Sequence, residues 1–402
     1  MKKILVIVAL GLFIASQVQA KVKTKDINFP GKFYTTEITF CKAMKDTPTF
    51  TDSFSIKKVK GLIGYDWHAD WEANTTSMNL QSKRIRVPIE VLMAGTQNAI
   101  SNNTQANIDI AKNLLIDLAK ADTLYDSIGY NEVLKKPPCY ANGDINSPCW
   151  FHEYVEARDV FSNYMINAIW LRDELNEQEF QIVDQYINKM YKKFLKPTES
   201  RCRYSCEEDE GFYAMANGGT GILSYASWTN NKELAAEEIN FRFKVMDRLF
   251  YEDGYINDNS FRGYRGQMYH SMGLNAALGY VYIAKLWGAE VPEELQNKLV
   301  KASEVANLAI TDWIKFKSRK YSGGIQDNAI EDPKNARKFT HPGAWGIDTL
   351  MKIVTGVELE YDAEYAWKRK NNGLWYGAQG KVPNAIDIMI GFNPNCILER
   401  SK

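Results

Sequence analysis

Six segments after residue 100 repeat apolar residues at intervals of three and four, and this periodicity limits the fold more than any other feature of the chain. They run over 108–121, 155–175, 180–194, 234–250, 268–286 and 295–316. The connections carry Gly, Pro, Asn or Asp, as in Lys196-Pro197-Thr198, Thr229-Asn230-Asn231, Glu252-Asp253-Gly254 and Gly288-Ala289-Glu290-Val291-Pro292. Short turns between long helices make neighbours antiparallel. The expected fold class is therefore all-α, with a single toroid of helical hairpins over 21–402; two separate helical domains are the second arrangement. Residues 21–80 are richer in Thr, Phe, Tyr and Trp and only weakly periodic, so an irregular N-terminal arm, a lid or strands are expected there. The last fifty or so residues are also irregular.

Residues 1–20 are expected to be a signal peptide. Lys2 and Lys3 form a positive start, Ile4 to Ile14 an apolar stretch too short to span a bilayer, and Val18-Gln19-Ala20 a cleavage site with small residues. The implied location is periplasmic or secreted. No later stretch reaches 18 uninterrupted apolar residues, so no membrane span is expected. Without Lys2 and Lys3 the 49 basic residues become 47 against 49 acidic ones, a net of −2. That balance argues against nucleic acid, which calls for a broad basic surface. An acidic ligand would need a local cluster of Arg and Lys.

Six cysteines in an exported chain read as disulfides before metal ligands, with no free thiol. Cys139 and Cys149 bracket a Pro- and Gly-containing loop, Cys202 and Cys206 sit four apart, and Cys41 and Cys396 remain. Other pairings stay open, as does a zinc site built from the same residues.

The stretch Ser260 to Gly288, SFRGYRGQMYHSMGLNAALGYVYIAKLWG, is the richest in chemistry. If it is one helix, Arg262 and Tyr269 point within about 20° of each other and Arg265 within about 40° of Tyr269. Gly263, Gly266, Gly273 and Gly279 cost roughly 1 kcal/mol each inside a helix, which implies close approach by a backbone or a ligand. A core helix with arginine stems laid along its surface is an equal alternative. Upstream, Asn217-Gly218-Gly219-Thr220 is expected to interrupt a helix as a helix end, a turn or a place where a ligand meets the backbone.

Arg262-Gly263-Tyr264-Arg265, three residues, then Tyr269-His270 and an apolar helix resembles the catalytic helix of alginate lyases of polysaccharide lyase families 5 and 17, whose relatives include glucuronan lyases. Those families carry an Asn-Asn-His-Gly-Thr-like motif some fifty residues upstream, where this chain has Ala216-Asn217-Gly218-Gly219-Thr220. The resemblance spans Arg158 to Gly288 as a helix pattern, and only these two motifs are specific. It implies an (α/α) toroid that cleaves a β-1,4-linked uronic-acid polymer by syn β-elimination and leaves a 4,5-unsaturated end. The C5 proton lies α to a carboxylate and is a very poor acid, so the carboxylate charge must be offset before the enolate-like intermediate can form. A base then takes that proton and an acid protonates the leaving O4. In mannuronate and glucuronate both groups lie on one face, so one tyrosine serves for both steps. A phenol is a weak base at neutral pH, and nearby guanidinium charge favours its ionised form.

Carried over residue by residue, the resemblance makes Tyr269 base and acid. Asn217 neutralises the carboxylate, and Arg262 supports that charge or the phenolate. Arg265 and His270 are substrate contacts; a histidine satisfied inside its helix is the alternative for His270. The families' upstream histidine corresponds here to Gly218. Its role passes to His152, His341, His270 or an arginine; or the chain is a side branch acting on glucuronan; or it is a non-catalytic binder. The mannuronan and glucuronan sugars differ at C2, away from the reacting carbons, so either polymer fits.

His341-Pro342-Gly343-Ala344-Trp345 is expected to line a cleft with sugar-stacking Trp345, or else to be a loop anchored by a buried Trp. Trp67, His68 and Trp71 are assigned to a lid or to local packing. There is no His-Glu-x-x-His, phosphate-loop or nucleophile-elbow motif, and no cofactor or metal is expected. The rival enzyme is a glycoside hydrolase using a carboxylate pair from Glu207, Glu208, Asp209 and Glu210, a run that also reads as a solvated helix start. The expected partner is an anionic polysaccharide, and the expected state a monomer.

Overall fold

The computed structural model describes residues 21–33, 96, 105–122, 151–194, 212–263, 266–319 and 347–360. The helices among them are α1 (Gln105–Lys120), α2 (Phe151–Leu171), α3 (Glu177–Phe194), α4 (Phe212–Trp228), α5 (Lys232–Leu249), α6 (Gly266–Leu286), α7 (Glu293–Thr311), α8 (Trp313–Ser318) and α9 (Ile347–Thr355). The described residues contain no strand, only an isolated antiparallel bridge between Phe250 and Ile256. The chain is all-α over this extent. No described helix is long and apolar enough to cross a membrane.

The helix starts follow local side-chain chemistry. Before α3, the Asn176 N–H donates to Glu179 and the Glu179 N–H to the Asn176 side chain, a reciprocal box that closes the first turn. The Asn231 carboxamide oxygen accepts from Leu234 N at 3.0 Å and caps α5. The same chemistry corrects one expectation. The segment 295–316 is not one helix, because Asp312 leaves helical geometry at φ −141°, ψ 79° and accepts from Lys315 N, starting α8. A second correction concerns Asn217-Gly218-Gly219, which does not interrupt anything. It lies inside α4, whose packing against α2, α5 and α6 overrides a glycine penalty of about 1 kcal/mol each.

Alternate helices make two layers. α2 packs on α4, α4 on α6 and α6 on α9. Residues 161–171 of α2 and 271–281 of α6 are buried on every side. α5 and α7 are buried on one face only, through Ile239, Phe243 and Met246 in α5 and Leu295, Leu299 and Ala302 in α7. They cover the row from outside, α5 against α4 and α7 against α6 and α9.

The row is parallel. Connections of a few residues make α2/α3, α4/α5 and α6/α7 antiparallel hairpins. The C-terminal ends of the row helices then gather on one side. Arg172, just past α2, donates to the Trp228 carbonyl at the end of α4 at 2.8 Å. Lys32 donates to the Trp170 carbonyl in α2, and Asn28 N to the Trp287 carbonyl after α6. Gln296 of α7 reaches the Val354 carbonyl in α9. Carbonyls that helix ends leave open are thus met by cations and N–H groups of the right polarity.

A tryptophan marks this end in three successive hairpins. Trp170, Trp228 and Trp287 recur at intervals of about sixty residues and are all fully buried. Residues 21–33 form a strap across the same end. Phe29 and Phe33 meet Trp287 edge-on at 4.9 and 5.5 Å, and the Trp287 indole N–H donates to the Phe33 carbonyl. Val22 exchanges two hydrogen bonds with Asn240 of α5. Gly288, at φ +95°, ends α6 where any Cβ would strike the Asp26 carbonyl. The arm expected at 21–80 is therefore irregular over 21–33, but it closes the C-terminal end of the row.

Candidate active site

The opposite end of the row carries the connection 250–263 between α5 and α6. The bridge of Phe250 to Ile256 bends it back, and Gly254, at φ +86°, lets it lie directly on the Lys301 carbonyl of α7. A satellite core clamps it. Tyr255 stacks between Phe261 and Phe316 and donates its hydroxyl to the Phe316 carbonyl at 2.8 Å. The Arg319 guanidinium lies over the rings of Tyr251, Tyr255 and Phe261 and bonds Asp253. Burial pushes the Tyr255 phenol up to about 12, with Asp253 adding to the rise and Arg319 opposing it.

From this clamp the chain enters Asn257-Asp258-Asn259-Ser260, a polar run that is buried throughout. Asn259 donates its amide to the Tyr269 carbonyl at 2.8 Å. The Ser260 hydroxyl oxygen accepts from Ile256 N at 2.7 Å and lies 2.8 Å from His270 Nδ1. His270 Nε2 lies 2.9 Å from the Ala302 carbonyl, which can only accept, so Nε2 carries the proton and Nδ1 accepts from Ser260. His270 is 0 % exposed, and burial pulls its imidazole down to about 4. The expectation of a substrate contact at His270 therefore gives way to a structural role. Both ring nitrogens tie α6 to α7 and to the 250–263 connection.

Two glycines of α6, Gly266 and Gly273, have the same explanation. A Cβ at Gly266 would strike the Ser260 carbonyl, and one at Gly273 the Asn259 side chain. The close approach inferred from their density is made by the protein's own connection.

Ser260 to Gly288 is not one helix. α6 begins at Gly266, and Arg262 follows the 3-10 turn Asn259–Phe261. Arg262 nevertheless reaches Tyr269 by another route. It ion-pairs with Asp258, and its guanidinium lies over the Tyr269 ring, 5.3 Å from the centroid. Tyr269, in the first turn of α6, is half-buried and packs against the main core. Asn217 lies in the second turn of α4, the helix beside α6. Because the row is parallel, Asn217 and Tyr269 belong to the same end, where the positive ends of the helix dipoles favour an anion.

Arg265, His341 and Trp345 lie outside the described residues, as do the six cysteines, Trp67, His68, Trp71 and Glu207 to Glu210; of Asn217 and His152 only the backbone is described. Among the described residues no three His, Cys, Asp or Glu side chains gather as metal ligands. The residue missed in the sequence is Asp258. Its signal was an Asp four positions before Arg262, hidden in a run of turn-forming residues that reads as a solvated loop. No family model and no curated protein matches this sequence.

Proposed function

We propose that the protein is a polysaccharide lyase that cleaves a β-1,4-linked uronic-acid polymer, mannuronan or glucuronan, by syn β-elimination after export from the cell. The observation that carries this reading is the Arg262 guanidinium over the Tyr269 ring, at the end of a parallel helix row that also bears Asn217. The row and its outer layer are read as part of an (α/α) toroid with the polymer lying across the N-terminal ends of the row helices.

In this mechanism the row's helix dipoles and the Asn217 carboxamide offset the substrate carboxylate. The Tyr269 phenolate takes the C5 proton, and electrons move to the carboxylate as the enolate-like species forms. That species collapses to the C4–C5 double bond and expels O4, which takes the proton back from Tyr269. Arg262 is already paired with Asp258, so its part is to hold the ring and to keep positive charge on its face. Arg265, His341 and Trp345 contact the polymer.

Incubation with polymannuronate, polyguluronate and glucuronan tests the proposal. The expected result is ultraviolet absorbance from an unsaturated product with one of the first or third. Saturated reducing ends without absorbance would instead point to hydrolysis and to Glu207 to Glu210. Binding without any product would make the protein a carbohydrate-binding relative.

A further inference from the structure

Asp258 has φ 57° and ψ −52°, and the Asn259 N–H bonds the Asn257 carbonyl across it at 2.6 Å. This is a γ-turn of the rare hand, a conformation that residues with side chains seldom adopt. Its surroundings impose it. Asn257 N donates to the Leu249 carbonyl, the Asn257 side chain accepts from the Tyr251 hydroxyl, and Asn259 is tied to Tyr269. A glycine would make this turn without strain. An aspartate in its place puts a carboxylate, 7 % exposed, against the Arg262 guanidinium. A buried carboxylate of this kind is tolerated when it is paired.

We propose that Asp258 is a positioning residue that sets Arg262 on the face of Tyr269; its part in turnover rests on the elimination reading above. The guanidinium fork is fixed at one end by the carboxylate and at the other by the ring face, so the phenol meets substrate in a single orientation. The hydrogen bonds of Asn257 and Asn259 hold that geometry against the strain before substrate arrives.

Four variants test it: Asp258→Asn, Asp258→Gly, Arg262→Ala and the double variant Asp258→Asn/Arg262→Ala. Asp258→Gly relieves the turn but removes the Arg262 pair, so its melting temperature is expected to fall less than that of Asp258→Asn, which keeps the strain. Both Asp258 variants are expected to lose about 10- to 100-fold in kcat, with KM changed by no more than about three-fold. The double variant is expected to be no slower than Arg262→Ala alone, because Asp258 acts through Arg262. A crystal structure of Asp258→Asn is expected to show the guanidinium off the Tyr269 ring. Additive losses in the double variant, kcat within about two-fold of the parent in both Asp258 variants, or Arg262 still on the ring would overturn the proposal. If the parent cleaves no uronan, the elimination reading fails by itself, and the crystal structure still decides whether Asp258 holds Arg262.

Discussion

At the C-terminal end of the helix row, three tryptophans are buried, Trp287 beneath the strap and Trp228 beneath Phe180 and Arg172, and the helix carbonyls are met by Lys32, Arg172 and the Asn28 N–H. At the N-terminal end, a strained connection holds a buried carboxylate, a one-third-exposed arginine and a half-buried tyrosine. The first end gains from burying large apolar rings. The second keeps charged and polar groups in fixed positions, which costs stability unless every partner is present. If the lyase reading holds, strength and chemistry are segregated along the row axis, so substitutions at the two ends should fail in different ways.

The largest effect should come from Tyr269→Phe. Only a hydroxyl is removed, so the ring still packs and the melting temperature should stay close to the parent's. If Tyr269 performs both proton transfers, kcat should fall by at least about 10³-fold. A folded enzyme with kcat within a few-fold of the parent would remove the chemistry from this end.

Trp287→Ala should do the reverse. It empties the pocket under Phe29 and Phe33 and should cost about 3–5 kcal/mol in urea unfolding. Under conditions where the variant is folded, kcat should change by only a few-fold. A large loss of kcat without loss of stability would show that the ends are coupled and the segregation false.

The third test concerns His270, next to Tyr269 in sequence but structural in role. Its folded value of about 4 lies below the unfolded value of 6.5. Between those limits the unfolded chain binds the extra proton, so stability is fully present above about pH 6.5 and is lost as pH falls toward 4. The loss should approach about 3 kcal/mol, and His270→Gln should flatten that part of the curve. Urea unfolding across the range measures it. An equally steep acid loss in His270→Gln would assign it to other groups.

Apolar periodicity located α1, α2, α3, α5, α6 and α7 within a few residues, because helices that pack on a core must write their buried face into the sequence; it did not locate α4, where Asn217-Gly218-Gly219 reads as a break and packing overrides it. It ran α7 and α8 together, since it does not register an aspartate that caps a new helix in mid-run. The spacing of Arg262 and Tyr269 identified a pair that meets, though through a turn and a ring face and not along one helix. Asp258 was hidden because a polar run reads as solvated, whereas in the fold the connection is held down by Asn257 and Asn259 and Asp258 is buried. The recurrence of Trp170, Trp228 and Trp287 was not read from the sequence, because these are three of ten tryptophans and only the fold shows that they share one end of the row.

The strap also bears on how the chain is made. Val22 waits for a partner 218 residues further on, and Phe33 for one 254 residues further on. The helical hairpins need only local contacts and can form as they emerge, whereas such distant pairings raise the contact order and come late. During synthesis Phe29 and Phe33 of the strap are therefore uncovered, a sticky surface on an unfinished chain. Docking of Phe29 and Phe33 removes that surface, so the strap joins the early and middle parts of the chain only once both exist.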